Sequence, residues 1–191
     1  MSLEIQELGP ARWGDLERLF GSNGACGGCW CMWWRVPRGG ALWRRTAGEP
    51  AHGALADLVA MGRAEGVLAY EEGEPVGWCG LGPRRDFPRT ERVRAYARDD
   101  VDDGLWSINC FFIPRRHRGR GLTRMLAAAA VEACRRRGAR VVEAYPVTTT
   151  ANGRAVSPSF AWTGPLKIFT ELGFEIIQAN PPTKPLVRLR L

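Results

Sequence analysis

The sequence lacks any stretch that would carry it into or across a membrane. Its longest unbroken apolar run, Met125 to Val131, is far too short to span a bilayer. Residues 1–30 contain no basic segment followed by an apolar one, as a secretory signal would. We therefore expect a cytoplasmic protein without a membrane partner, in which the six cysteines stay reduced as thiols.

Lysine is nearly absent, since only Lys167 and Lys184 accompany arginine among the 27 basic residues. The formal net charge is nevertheless +7. A positive balance suits an anionic partner, either the phosphates of a coenzyme or a nucleic acid, although genome composition alone also produces it. Nucleic acid is the less favoured of these two partners, because aromatic and basic residues do not alternate on one strand as they do in sheets that bind RNA.

A second group of metal ligands is also missing. Cys26, Cys29 and Cys31 have C-x-x-C-x-C spacing, but no further Cys/His pair follows at the spacing of a zinc finger. We therefore expect no bound metal. With 191 residues, no internal repeat and no dividing linker, the sequence predicts a single domain over residues 1–191.

The most informative stretch, from Leu105 to Val147, reads as strand, turn, helix and strand. Ser107 to Ile113 is apolar and aromatic, as in a strand covered on both faces. A helix with one apolar stripe starts near Leu122. Val141 to Tyr145 then predicts a strand parallel to the first, because a helix crosses over between them.

The turn before this helix predicts an anion-binding site. Arg118-Gly-Arg-Gly-Leu-Thr123 places backbone N–H groups at a helix start, where no internal acceptors exist for them. The two glycines allow close approach of a ligand. The pattern is neither a P-loop nor Gly-x-Gly-x-x-Gly.

The Arg118-x-x-Gly121 spacing between a buried strand and a helix resembles the acyl-CoA-binding core of the GNAT superfamily of N-acyltransferases. The segments Phe169 to Glu175 and Val67 to Gly82 resemble the family's closing helix with its strand and its upstream hairpin. The resemblance implies an α+β (mixed α/β) fold: a mixed, mostly antiparallel sheet of about seven strands, with one parallel βαβ unit and flanking helices. It also implies acetyl-CoA as the cofactor. Thr123 and Phe169 depart from the family pattern, which usually has Gly or Ala, and often Tyr, there.

The resemblance implies a set of cofactor-binding residues. The strand before the turn would splay from its neighbour and bind the pantetheine arm through its N–H groups, the turn would bind the pyrophosphate, and nearby arginines would contact phosphate. Phe169 stands where the family often has a tyrosine. The predicted residues are Phe111, Phe112, Ile113, Arg116, Arg118, Gly119, Arg120, Gly121, Leu122, Thr123, Arg124 and Phe169.

Two residues of the second core strand are candidate catalytic groups. Glu143 is an acidic residue in an apolar strand, which is costly unless it is paired or functional. Burial makes a carboxylate a stronger base, so Glu143 is predicted to accept the proton of an amine; the alternatives are a structural pair with an arginine and a water relay. Tyr145, two residues on, is the nearest phenol to replace the one missing at Phe169. Cys110 as a covalent nucleophile has no neighbouring histidine in sequence to support it.

A cysteine- and tryptophan-rich segment, from Cys26 to Arg35, is predicted to border the acceptor site. In GNAT-like folds this part of the chain lies beside the acceptor, and tryptophans suit flat or cationic groups. The alternative is that these tryptophans only fill the core. The predicted substrate-binding residues are Cys29, Trp30, Trp33, Trp34 and Arg35.

The remaining elements follow from periodicity and turn residues. We expect helices from Pro10 to about Phe20 and from Glu49 to Arg63, and a surface excursion of solvated arginines from Arg84 to Gly104. A long polar loop covers Thr148 to Thr163. Thr163 is expected to cap a last helix with Pro165 in its first turn and Gly173 at its end.

The sequence thus predicts an acetyl-CoA-dependent N-acetyltransferase acting on an amine of a small molecule or peptide. The alternative is a sensor or interaction module that binds acyl-CoA but has weak catalytic activity. A nucleic-acid-binding protein is the least favoured interpretation. The acceptor and the oligomeric state, a homodimer included, stay open.

Overall fold

A seven-stranded sheet organises the chain in the computed structural model, which describes residues 3–37, 39–94, 96, 97, 102–148, 156 and 161–191. Only β4 and β5 are parallel; every other neighbouring pair is antiparallel. The predicted α+β fold with a mixed sheet and one parallel βαβ unit is confirmed. In the order β1-β2-β3-β4-β5-β7-β6, the strands are β1 Leu3–Glu7, β2 Glu65–Glu71, β3 Glu74–Pro83, β4 Leu105–Phe112, β5 Val141–Ala144, β7 Leu186–Arg190 and β6 Glu175–Gln178.

Helices flank the sheet, and none in the described ranges is long and apolar enough to cross a membrane. They are α1 Trp13–Phe20, α2 Ala41–Thr46, α3 Glu49–Ala60, α4 Arg89–Arg92, α5 Leu122–Arg136 and α6 Leu166–Glu171, with single 3₁₀ turns at Pro10–Arg12, Arg84–Asp86 and Arg115–His117.

Most helix predictions hold to within a few residues. The helix expected from Pro10 begins as a 3₁₀ turn, and α2 was not predicted. The predicted cap at Thr163 is wrong: Pro165 has extended backbone and immediately precedes α6. Gly173 does follow the helix end, with φ +88°.

Helix α5 lies close against β2, β3 and β4 because its inner face is built from small side chains. Ala127, Ala130 and Ala133 are essentially inaccessible, as are Leu122 and Leu126 at its start. Alanine at these positions lets the helix approach the strands without a loss of packing. The start of α5 is thereby fixed beside the end of β4.

Strands β4 and β5 separate just beyond their paired part. The parallel ladder runs from Leu105 opposite Val141 to Ile108 opposite Ala144, where β5 ends, while β4 continues to Phe112. On its other edge β4 carries a bulge: Leu81 pairs with Ile108 and Gly80 with Cys110, which leaves Asn109 unpaired. A bulge bends a strand and raises its twist, so the end of β4 diverges from β5.

The predicted surface excursion from Arg84 to Gly104 is wrong for two of its arginines. Arg84 is 1% exposed and Arg89 is 7% exposed. Both guanidinium groups donate to buried acceptors, Arg84 to the carbonyl of Tyr96 and Arg89 to that of Val36. Most of the predicted polar loop, residues 149–155 and 157–160, lies outside the described residues.

Candidate active site

The turn before α5 presents backbone N–H groups that the protein does not use. Gly119 and Gly121 both have φ +77°, and Gly121 directly precedes the helix. Within the described chain, no group accepts a hydrogen bond from the N–H of Gly119, Arg120 or Gly121. A Cβ at either glycine would meet nothing within 4 Å, so the turn faces open space. Free amides at the positive end of a long helix form a site for an anion.

A cavity of about 290 Å³, which we call the glycine cleft, runs from this turn along the end of β4. It also contacts His117, Ala25, Cys26, Ala161, Trp162 and Pro165. The structure therefore brings together eight of the twelve predicted cofactor-binding residues, namely Phe111, Phe112, Ile113, Arg118, Gly119, Gly121, Leu122 and Thr123.

The three β4 amides predicted to hold a cofactor differ in what they can do. The Phe111 N–H already donates to the carbonyl of Trp162, 2.6 Å away. Because donors alternate along a strand, the Phe112 N–H faces β3, where it lies opposite Trp78. The Ile113 N–H faces the same side as that of Phe111, and no described residue accepts from it. Ile113 therefore offers the open donor on this edge.

A short segment, Trp162 to Leu166, lies across the opening between β4 and the chain after β5. Besides the bond to Phe111, Val147 donates to the carbonyl of Gly164 and accepts from the N–H of Leu166. Gly164 has φ +83°, and a Cβ there would come within 3.0 Å of Phe169 and 3.1 Å of Phe111. A larger residue would push the segment off β4.

The predicted phosphate-binding arginines contact protein groups. Arg120 forms a bidentate pair with Glu71, and this hydrogen-bonded guanidinium lowers the pKa of the Glu71 carboxyl. Arg124 lies 3.5 Å from Glu171 and is largely exposed. Arg116 donates to the imidazole of its neighbour His117. These side chains lie at the exposed border of the turn, where an anion would compete for them.

Arg118 has a structural task. Its N–H donates to the carbonyl of Arg115, so the predicted run of free amides begins one residue later, at Gly119. Its Nε donates to the carbonyl of Ile113 at 2.8 Å, which joins the turn to the end of β4. Phe169, also predicted at the cofactor, is fully buried and packs edge-on against Phe111 and Phe174.

Glu143 is enclosed between two arginines. One carboxylate oxygen accepts from Arg84 at 3.1 Å and from the Tyr145 hydroxyl at 3.2 Å, and the other accepts from Arg188 at 2.8 Å. Its side chain is 0% exposed. These contacts match the arginine pairing that the sequence left open as the alternative to a base.

Tyr145 directs its hydroxyl away from solvent. The group is bonded to Ser107 at 3.0 Å and to Glu143. Burial and the negative charge of Glu143 raise the pKa of Tyr145 well above its usual value. The phenol therefore stays protonated at neutral pH and holds Glu143 in place.

A second cavity, of about 360 Å³, continues from the glycine cleft, with which it shares Phe111, Phe112, Trp162, Ala25 and Cys26. Cys26, Cys29, Cys31 and Cys110 all line it, and we call it the cysteine cavity. The sulfur atoms of Cys31 and Cys110 are 3.4 Å apart, and the Trp78 indole donates to Cys31.

The predicted substrate-binding residues separate into three groups. Cys29 and Trp33 line the cysteine cavity. Trp34 donates its indole N–H to the carbonyl of Asn109 and lines a third cavity. Trp30 is buried in the core against Phe20, and Arg35 pairs with Asp86, so neither lines any of the three cavities described.

The third cavity, of about 590 Å³, adjoins the second through Trp33 and Trp162, which line both. Its walls are mainly aromatic, so we call it the aromatic cavity. Its other lining residues are Trp34, Pro37, Gly39, Arg89, Arg92, Val93, Tyr96, Tyr145, Thr163 and Lys184.

The cysteines of the second cavity differ in reactivity. Burial, helped by the charge of Cys31, raises the pKa of Cys29 to about 12, and the hydrogen bond with Cys31 together with burial raises that of Cys110. Such thiols are poor nucleophiles near neutral pH. Of the described side chains, no three histidine, cysteine or acidic groups are arranged to hold a metal ion.

We expect iodoacetamide at pH 8 to alkylate Cys26, which is exposed, well before Cys29 and Cys110. Only the thiolate reacts, and a raised pKa leaves little of it at this pH. Peptide mass spectrometry over time would measure each site, with urea-unfolded protein as the control in which all six thiols react. Equal rates at Cys26 and Cys29 in the folded protein would contradict the assignment.

The model of the acetyltransferase (GNAT) family matches residues 31–157, about two thirds of the chain. The chain belongs to the GNAT acetyltransferase family. The match includes both core strands, the glycine turn and α5.

Solved GNAT structures share the fold at low sequence identity. PaiA N-acetyltransferase from Thermoplasma acidophilum, in complex with coenzyme A, is 10% identical with a TM-score of 0.57, and the alignment covers 100% of both chains. A phosphinothricin acetyltransferase from Sinorhizobium meliloti, in complex with AcCoA, is 17% identical with a TM-score of 0.57, covering 100% of this chain and 89% of that one. Ribosomal-protein-alanine N-acetyltransferase from Brucella melitensis is 19% identical with a TM-score of 0.54, covering 98% and 99%. No curated protein matches the chain.

Sequence reasoning missed several residues that line these cavities. Trp162 lines all three cavities, yet it lies in a stretch read only as polar loop. A lone tryptophan in a polar segment beside Gly164-Pro165 was the available signal. Tyr96 and Lys184 are 88 residues apart, and only the fold brings them to one cavity.

Proposed function

We propose that the chain is an acetyl-CoA-dependent N-acetyltransferase that acts on an amine of a small molecule or peptide. The observation that carries the proposal is the set of unused N–H groups at Gly119, Arg120 and Gly121, in a turn whose two glycines line a cleft along the unpaired end of β4. Membership of the GNAT family supports the same reaction.

The residues of the turn fit the phosphate end of a coenzyme. Three N–H groups have no acceptor among the described residues, the two glycines have open space around them, and the helix behind them favours negative charge. Arg116, Arg120 and Arg124 border the turn and would add to its positive potential. The complexes of the solved relatives with coenzyme A and AcCoA agree with this assignment.

When bound, acetyl-CoA supplies an acetyl group that is activated as a thioester. The chain contributes position and an apolar surface: the open Ile113 N–H is the available donor on the β4 edge, and Phe111 and Phe112 form an apolar wall. The cysteine cavity next to this wall is where an acceptor amine would approach.

We assign Glu143 and Tyr145 a structural role in supporting the site. The proton that the amine loses is accepted by water in the cleft. Both groups are buried and bonded to each other and to their neighbours. A dedicated acid is unnecessary, because the leaving thiolate, whose pKa as a free thiol is about 8.5, takes up a proton itself. The phenylalanine at position 169 is consistent with this.

The proposal is tested by incubating the protein with acetyl-CoA and a panel of primary amines. The panel should contain amino acids, aromatic amines and short peptides, and mass spectrometry should detect the acetylated products. A colorimetric thiol reagent is unsuitable, because Cys26 is exposed and would react with it. We expect at least one amine to be acetylated in proportion to enzyme.

Calorimetric titration with coenzyme A separates the outcomes. Binding with product formation supports the enzyme. Binding without product over the whole panel would indicate a cofactor sensor instead. Absence of binding would remove the assignment of the turn as well.

A further inference from the structure

The aromatic cavity is a concave space of defined shape beside the proposed reaction centre. Five rings line it, from Trp33, Trp34, Tyr96, Tyr145 and Trp162. The centroids of Tyr96 and Tyr145 are 4.7 Å apart, and those of Trp34 and Trp162 are 5.6 Å apart, so the rings form continuous walls. Its volume of about 590 Å³ falls in the range of small-molecule pockets. A flat or apolar group of that size fits it.

The charged residues that line this cavity are all positive. Arg89, Arg92 and Lys184 line it, and none of the described lining residues is acidic. The Arg89 guanidinium lies 3.7 Å above the Trp33 ring and donates to the carbonyl of Val36, which fixes its position. Apolar walls reduce screening and concentrate the field of such charges. The cavity therefore attracts an anion and repels a second ammonium group.

An unsatisfied hydroxyl gives an independent sign of a ligand. Thr163 lines the cavity and is 2% exposed, and its Oγ1 has no hydrogen-bond partner among the described residues. A buried polar group without a partner costs about 1–3 kcal/mol. A polar atom of a bound molecule would remove that cost.

The cavity lies next to the one where an amine would approach. Trp33 and Trp162 line both it and the cysteine cavity. The cysteine cavity in turn shares Phe111 and Phe112 with the glycine cleft. A molecule whose ring and anion occupy the aromatic cavity would have its amine directed toward the end of β4.

We infer that the acceptor is an amine that carries an anionic group, in the simplest case a carboxylate, beside a flat apolar body, and that the aromatic cavity binds that anionic end. Aromatic amino acids are the plainest members of this class. Polycationic amines are excluded by the same charges. The inference rests on the acetyltransferase function proposed above and specifies its acceptor.

The test uses pairs of amines that differ only in the carboxylate. L-tryptophan is compared with L-tryptophanamide and L-phenylalanine with L-phenylalaninamide, with spermidine as the polycation. Two readouts are taken on protein saturated with coenzyme A or acetyl-CoA: calorimetric binding, and acetylated product by mass spectrometry. We expect each acid to bind at least ~10-fold more tightly than its amide, equivalent to about 1.4 kcal/mol, and spermidine to bind more weakly than either acid.

Variants at the exposed cations assign the preference to this cavity. Arg92→Gln and Lys184→Gln together should reduce the ratio of acid to amide binding toward one and leave coenzyme A affinity unchanged. Arg135→Gln, at the far end of α5, removes the same kind of charge and should leave the ratio intact.

The outcomes distinguish this inference from the proposed function. One outcome is that no amine is acetylated, while the acids still bind preferentially and the double variant loses that preference. The proposed acetyltransferase function is then wrong, and the anionic binding site in the aromatic cavity is supported. If the amides or spermidine bind as well as the acids, or if the double variant keeps the preference, the anionic acceptor is overturned whether or not turnover occurs.

Discussion

Gly121→Glu is expected to abolish coenzyme A binding while the protein stays folded. Gly121 precedes α5 with φ +77°, and a side chain there would extend into open space at the turn. A carboxylate at this point occupies the position of the anion and repels it. We expect the dissociation constant measured by calorimetry to rise at least ~100-fold, or about 2.7 kcal/mol.

Gly138→Glu is the matched control for this variant. Gly138 follows the other end of the same helix with φ +78°, it also has open space around it, and the substitution adds the same charge. Both variants should lose about 1 kcal/mol of stability from the left-handed backbone, since a side chain is unfavourable there. Equal coenzyme A affinity in the two variants would mean that the Gly119 to Gly121 amides do not bind the phosphates.

Glu143→Gln is expected to destabilise the fold rather than stop the chemistry selectively. Arg84 is 1% exposed, and Glu143 supplies its fully buried counter-ion, while Arg188 pairs with the other oxygen. Removal of one partner from a buried ion pair costs about 3–5 kcal/mol. Urea unfolding of the variant should show a loss of that size.

Three further measurements distinguish this from a role as base. Glu132→Gln removes an exposed carboxylate of α5 and should change stability by less than ~0.5 kcal/mol. Glu143→Gln combined with Arg84→Met should lose less stability than the sum of the two single changes, because the buried Arg84 charge is removed together with its buried partner. A Glu143→Gln protein of normal stability and cofactor affinity, with turnover lost, would restore Glu143 as the proton acceptor.

The parts of the fold that sequence patterns predict well are those with strong local signals. The β4–α5–β5 unit combines an apolar strand, a glycine turn and a helix with one apolar stripe, and its elements lie where the patterns put them. The end of α6 before Gly173 likewise follows from one residue with a left-handed conformation. Such signals are contained within a few neighbouring residues.

The arginines show why other parts were not predictable. Arg84 lies in a charged stretch that resembles a solvated surface, and its burial depends on Glu143, 59 positions away, which only the sheet brings near. The bond from Phe111 to Trp162 is equally non-local. The pattern of charges along the sequence therefore does not show which arginine is buried, because a buried charge needs a partner that only the fold brings close.

Which residues of the tryptophan-rich segment line cavities could be predicted only in part, for the same reason. Cys29, Trp33 and Trp34 line cavities as expected, but Trp30, four residues before Trp34, turns into the core. Residues 30 and 31 have positive φ, which breaks any simple periodicity in this segment. Because this segment has no regular helical or strand periodicity, its sequence does not predict which tryptophans point into the core and which line a cavity.

The hydrogen bond from the Phe111 N–H to the Trp162 carbonyl competes with any ligand that would accept from the same N–H. One backbone amide serves a single strong acceptor at a time, so any incoming group that needs the Phe111 N–H must first displace the Trp162 carbonyl. The measured affinity of such a ligand then equals its intrinsic affinity multiplied by the fraction of protein molecules in which the Phe111–Trp162 bond is open. The indole of Trp162 borders all three cavities and moves with its backbone. Because the chain has eight tryptophans, the displacement would be reported by the part of the fluorescence change that is lost in Trp162→Phe.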